Sequence, residues 1–123
     1  MDRIPEEPAR EDRIAMEATV DCYNQEEAAM GWYYYLEDRL AFPFAAICTE
    51  ERSVSLLRVD EEVEVLGMAD EDDCLCEMFA EVAWQDRTFA VPLDQLDALD
   101  GGAATDRALG DWHYWVRRGY QLC

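Results

Sequence analysis

Residues 59–96 read VDEEVEVLGMADEDDCLCEMFAEVAWQDRTFAVPLDQL. Inside this stretch, Glu62-Val63-Glu64-Val65-Leu66 alternates polar and apolar at period two. That is the pattern of a strand with one face in a core. Met78 to Trp84 alternates less cleanly, Gln85-Asp86 forms a plausible tight turn, and Thr88 to Val91 closes the hairpin. Pro92 to Leu99 reads as a short helical turn. Strand, loop, hairpin and one-turn helix together predict a small SH3-like barrel from Val59 to Leu96. Upstream, the apolar run Phe44 to Thr49 adds strand character.

Helices flank this β region. Asn24 and Glu27 stand as N-cap and N3 of a helix over 24–40, satisfying free amide groups as a capping box does. Ala29, Trp32, Tyr33, Leu36 and Leu40 then recur at helical spacing. Pro43 stops the helix, because the residue before a proline avoids helical backbone. Near the other end, Gly101-Gly102 breaks the chain, and Thr105 is expected to cap a final helix. Leu109, Trp112 and Val116 line one face of it. Arg117 and Arg118 complement the dipole of its last turn, and Gly119 follows as its stop. The fold class is α+β: a small SH3-like barrel or sheet between an N-terminal and a C-terminal helix. Residues 1–23 read as a charged leader with a short helix between Glu11 and Asp21, Ile14 and Ala18 on one side. Residues 24–123 read as one domain.

Charge narrows the function. The 123 residues hold 29 acids against ten basic residues, all arginine, for a net charge of −19. Such a surface argues against nucleic acid, whose phosphates need basic partners, and against anionic membranes. Two readings remain: a solubilising surface, or a surface that binds hard cations through carboxylate oxygen. The N-terminus lacks the apolar core of a secretory signal, which places the expected location in the cytoplasm. In that compartment Cys22, Cys48, Cys74, Cys76 and Cys123 are expected as free thiols. A zinc site from Cys48, Cys74, Cys76 and His113 can be assembled on paper, but the C-x-C spacing does not call for it.

Two acidic clusters stand out. Asp70-Glu71-Asp72-Asp73, followed by Glu77, lies between predicted strands. Adjacent carboxylates repel unless they splay into water or share a cation. The segment is not an EF-hand: Asp70, Asp72 and Glu81 match loop positions, but Cys74 and Leu75 stand where a ligand and the turn glycine belong. The second cluster, Glu37-Asp38, ends the first long helix, where acids oppose the macrodipole unless a cation or Arg39 compensates. The aromatic runs Trp32–Tyr35 and Trp112–Trp115 read as core packing, with an exposed docking patch as the alternative. His113, the single histidine, reads as a structural hydrogen-bonding residue. Phosphate loops, nucleophile elbows and multi-histidine centres are missing, so no enzyme is expected.

Five strings carry a family resemblance: Gly31-Trp32-Tyr33-Tyr34-Tyr35-Leu36-Glu37-Asp38, Phe42-Pro43-Phe44, the acids at 70–73, Ala90-Val91-Pro92-Leu93 through Leu96, and Asp111-Trp112-His113-Tyr114-Trp115. Over about residues 24–120 the chain resembles the small acidic calcium-binding proteins of the cyanobacterial type, the CcbP-like family. The resemblance implies Ca²⁺ binding outside the EF-hand class and a role as calcium buffer or sequestering protein. It implies Asp38 as a ligand, with Glu37 beside it, and Asp70, Glu71, Asp72, Asp73 and Glu77 from the acidic loop. The two clusters are expected to meet over one edge of the barrel. The competing reading is an SH3-like interaction module with a solubilising surface, whose aromatic helices dock a basic partner.

Overall fold

The computed structural model describes residues 4–123. Helix α2 (Gln25–Arg39) is capped as expected: the Glu27 amide donates to Asn24 Oδ1 at 2.8 Å. The Glu27 carboxylate reaches back one residue further, accepting from the Tyr23 amide at 3.1 Å. Five antiparallel strands follow: β1 (Phe44–Cys48), β2 (Glu62–Met68), β3 (Phe79–Trp84), β4 (Arg87–Pro92) and β5 (Leu96–Ala98). They pair in the order β4-β3-β2-β1-β5. The period-two reading of β2 holds: Val63 and Val65 are buried while Glu62, Glu64 and Leu66 face out. Gln85 and Asp86 both adopt positive φ, as a tight two-residue hairpin turn requires.

Three expectations need correction. The sheet is open, with β4 and β5 as its edges, rather than a closed barrel. Only Leu93–Gln95 of the segment after Pro92 is a helical turn; Leu96–Ala98 continues as β5 along β1. The free edge of β1 draws it there: the Thr49 amide donates to Gln95 O and the Leu99 amide to Ala45 O, both at 2.8 Å. Helix α3 (Gly102–Arg117) begins a turn before Thr105, entered through Gly102 at φ +86°, a backbone that only glycine adopts cheaply. Thr105 is buried instead, its hydroxyl accepting from the Ala41 amide at 2.9 Å.

Helices α2 and α3 pack against each other through an aromatic cluster. The ring of Trp32 lies 5.1 Å from Trp112 and 5.5 Å from Trp115. Burying these rings supplies a large share of the hydrophobic drive. Before α2, helix α1 (Pro8–Arg13) runs into a π-turn (Ile14–Ala18). Ile14 and Ala18 are buried, as their shared face predicted. The charged stretch is thus folded onto α3. Arg13 grips the fully buried Asp111 with two hydrogen bonds of 2.9 and 2.6 Å, and Arg10 donates to Gly110 O at 3.0 Å.

The cysteines depart from the thiol expectation. Cys76 and Cys123, 47 residues apart, form a disulfide, while Cys22, Cys48 and Cys74 are free. After Gly119, at φ +94°, the chain turns back toward the acidic loop. The Cα atoms of Cys76 and Cys123 come within 5.1 Å, inside the range a disulfide spans. No helix among the described residues is long and apolar enough to cross a membrane.

Candidate metal site

Helix α2 carries its functional groups in its last two turns. Residues three and four apart share a helical face, so Tyr33 and Tyr34 lie one turn before Glu37 and Asp38. Both phenols reach the acidic loop. The buried Tyr33 hydroxyl donates to Ala69 O at 2.7 Å, and the exposed Tyr34 hydroxyl donates to Glu71 Oε1. The loop turns through a short 3-10 segment (Glu71–Cys74) with Asp70 just before it. Cys74 is buried as the anchor, its sulfur accepting from the Phe79 amide at 3.3 Å. With Cys74 turned in, Asp70, Glu71, Asp72 and Asp73 stay exposed.

Electrostatics report which of these acids are neighbours. Burial, and then the negative charges of Glu37, Glu71 and Asp70 among others, push the Tyr33 phenol up to about 12. Tyr34 is raised too, first by its hydrogen bond to Glu71, with Glu37 adding to it. Glu37 and Glu71 thus both oppose ionisation of Tyr33 and Tyr34, and Asp70 that of Tyr33. The Tyr34–Glu71 bond sets the last turns of α2, which carry Glu37, beside the acidic loop.

Asp38 and Glu77 sit differently. Asp38 is largely exposed and lies 3.6 Å from Arg39. With Glu37 and Glu17 it lines a groove of about 670 Å³ between the π-turn and α2. Gly31 lets α2 and the π-turn approach closely here, since a Cβ there would stand 2.2 Å from Ala18 O. Glu77 is held in a two-pronged ion pair with Arg52, at 2.7 and 2.9 Å. No ion pair among the described residues engages Glu37, Asp70, Glu71, Asp72 or Asp73. Sequence reasoning passed over Tyr33, Tyr34 and Glu17. The one-turn spacing of the two tyrosines before Glu37 was the available signal.

The donor set suits a hard cation, being carboxylate oxygen throughout. As folded, no three His, Cys, Asp or Glu side chains among the described residues are gathered closely enough to hold a metal ion. The zinc option falls away: Cys76 is in the disulfide, and no Cys/His metal cluster forms among the described residues. His113 is buried, its ring nitrogens 3.4 Å from Leu93 O and 3.4 Å from Asp97 Oδ1. Burial, followed by Arg117, lowers its pKa, which suits the structural role expected of it.

The model of a calcium-binding family, the CcbP type, matches residues 12–116. The chain belongs to the CcbP calcium-binding family. Among solved structures it is similar to Anabaena CcbP, at 41% identity and a TM-score of 0.87, with 98% of each chain covered. It is also similar to a calcium-binding protein in the calcium-binding form, at 40% identity and a TM-score of 0.85, again over 98% of each chain. No curated protein sequence matches. CcbP membership makes this a calcium-binding protein, and the 98% coverage brings the segment before residue 24 into the shared fold.

Proposed function

We propose that this protein holds Ca²⁺ at the junction between the end of α2 and the acidic loop, with Glu37, Asp70 and Glu71 at its centre. Asp38, Asp72 and Asp73 are the further carboxylates in reach of such a site, and Glu77 contributes by fixing the loop's far end through Arg52. The observation that carries this reading is the pair of hydrogen bonds, Tyr33 to Ala69 O and Tyr34 to Glu71, that sets the helix end with Glu37 beside an exposed acidic loop. Ca²⁺ takes roughly six to eight oxygens in flexible geometry, so backbone carbonyls and waters complete the shell. That tolerance suits carboxylates that are not pre-gathered.

The protein then works as a calcium buffer in the cytoplasm and catalyses no reaction of its own. A buffer needs saturable binding and no shape change. Isothermal titration of chelator-stripped protein with CaCl₂, in ~0.15 M KCl to screen diffuse charge, tests this, with MgCl₂ as control. A small whole-number stoichiometry that Mg²⁺ leaves largely intact supports defined sites. Weak heat shared equally by both ions would reduce the acidity to a solubility device.

A further inference from the structure

The acidic loop has a covalent clasp that the calcium reading does not use. Cys76 lies three residues after Asp73, and its disulfide ties this loop to the last residue of the chain. Between Arg117 and that bond, the C-terminal segment folds back over α3. Leu122 is buried, and the rings of Trp115 and Tyr120 stack with centroids 5.3 Å apart. A groove of about 250 Å³ lies beneath, lined by Trp112, Trp115, Val116 and Leu122 together with both half-cystines.

The chemistry of the five sulfurs divides cleanly. Cys76 and Cys123 are both exposed residues, open to attack by an outside thiolate. Cys48 and Cys74 are buried, and Cys22 is half-buried with its thiol donating to Glu27 O at 3.2 Å. Thiol–disulfide exchange requires access to a sulfur, and exposed disulfides are the exchangeable ones. The one bond within reach of a reductant is thus the one that holds the acidic loop.

We propose that Cys76–Cys123 is a thiol–disulfide exchange site whose state sets how firmly residues 70–77 are held for calcium. The co-reactant is a dithiol. Its first thiolate attacks one half-cystine, forming a mixed disulfide and expelling the other as thiolate. Its second thiol resolves the mixed disulfide. In sum the clasp gains two electrons and two protons, and the dithiol becomes a disulfide. The cut frees the tail after Gly119 and leaves the loop attached by Cys74, the Glu77–Arg52 pair and the Tyr34–Glu71 bond. A looser loop spends more of its binding energy on ordering, so calcium binds less tightly.

This inference rests on the calcium site proposed above. The test is calcium titration of the full chain, oxidised and after reduction by dithiothreitol, with thiols counted by alkylation. Reduction is expected to expose two more alkylatable thiols and to weaken calcium binding several-fold. Cys123→Ser is expected to bind like the reduced protein and to ignore dithiothreitol, whereas Cys22→Ser keeps the redox response. Equal calcium affinity in both states of the wild-type chain overturns the clasp alone. Loss of saturable binding in both states overturns the calcium site and the clasp with it.

Discussion

Tyr34 donates its phenolic hydroxyl to Glu71 at 2.5 Å, bonding the last turns of α2 to the first acid of the 3-10 turn, 37 residues further along the chain. Glu37 lies one turn along from Tyr34 on the same helix, and its charge adds to the upward shift of that phenol. A cation in the proposed site would meet acids from both elements at once. Tyr33 lies beneath them, fixed to Ala69 O, so the floor of the corner is set before any ion arrives.

These phenols report on the site. Tyr33 and Tyr35 are both pushed up to about 12, chiefly by burial. In the unfolded chain they ionise near about 10. Between those values the unfolded state has lost protons that the folded state keeps. Stability from this source is therefore intact below about pH 10 and falls as pH rises toward about 12. Calcium at Glu37 and Glu71 cancels the charge that opposes phenolate at Tyr33 and Tyr34. Ultraviolet titration of phenolate absorbance should show part of the tyrosine signal moving to lower pH with calcium. An unchanged curve would mean that the ion binds elsewhere.

The acids should divide by their present partners. Glu37→Gln and Glu71→Gln each remove a carboxylate with no arginine partner among the described residues. Each is expected to weaken calcium binding about tenfold with little change in melting temperature, since affinity follows ligand charge. Glu77→Gln breaks the Arg52 pair, so its larger effect should fall on stability. Paired titration calorimetry and thermal melts check the contrast. An affinity loss at Glu77 equal to that at Glu71 would make Glu77 a direct ligand.

Where local chemistry decides structure, the sequence was legible. Asn24 and Glu27 mark the start of α2, and the alternation around Val63 and Val65 marks the buried face of β2. Leu96–Ala98 was not, because three residues are too few to display a period and β1's need for a partner decides their state. The Cys76–Cys123 bond depends on topology across 47 residues, which no local pattern carries. In the site, the acids were readable as acids and their two clusters as neighbours, but the side chains that link helix to loop were not. Tyr33 and Tyr34 join Glu37 to the loop, and an aromatic run by itself points to a core.

Asp111 offers a test of the N-terminal segment. It is fully buried, accepts from Arg13 twice and from the Tyr35 hydroxyl at 2.6 Å, and lies 3.3 Å from Arg10. Removing Asp111 leaves Arg10 and Arg13 without their counter-ion, at a cost of up to about 3–5 kcal/mol, lessened because both arginines are partly exposed. Asp111→Ala should lower stability by that order in urea unfolding and release α1 to proteolysis. Cleavage of α1 no faster than in the wild type would show that Ile14 and Ala18 hold the segment without the ion pairs.

A net charge of −19 also predicts how salt and calcium should differ. Self-repulsion among exposed acids destabilises the compact state. Raising KCl from about 0.01 to 0.15 M shortens the screening length from about 30 to 8 Å, and the melting temperature should rise. That gain comes from diffuse ions and should plateau with ionic strength. Calcium at constant ionic strength adds a separate increment by binding the folded state, about 2.7 kcal/mol at a hundredfold excess over Kd. Magnesium, smaller and reluctant to shed water, should add much less at a site of flexible carboxylates. Thermal melts in KCl, then with each divalent ion at fixed ionic strength, separate the two effects. Equal shifts from calcium and magnesium would assign the whole response to the ion atmosphere and leave the Glu37–Glu71 corner without a bound ion.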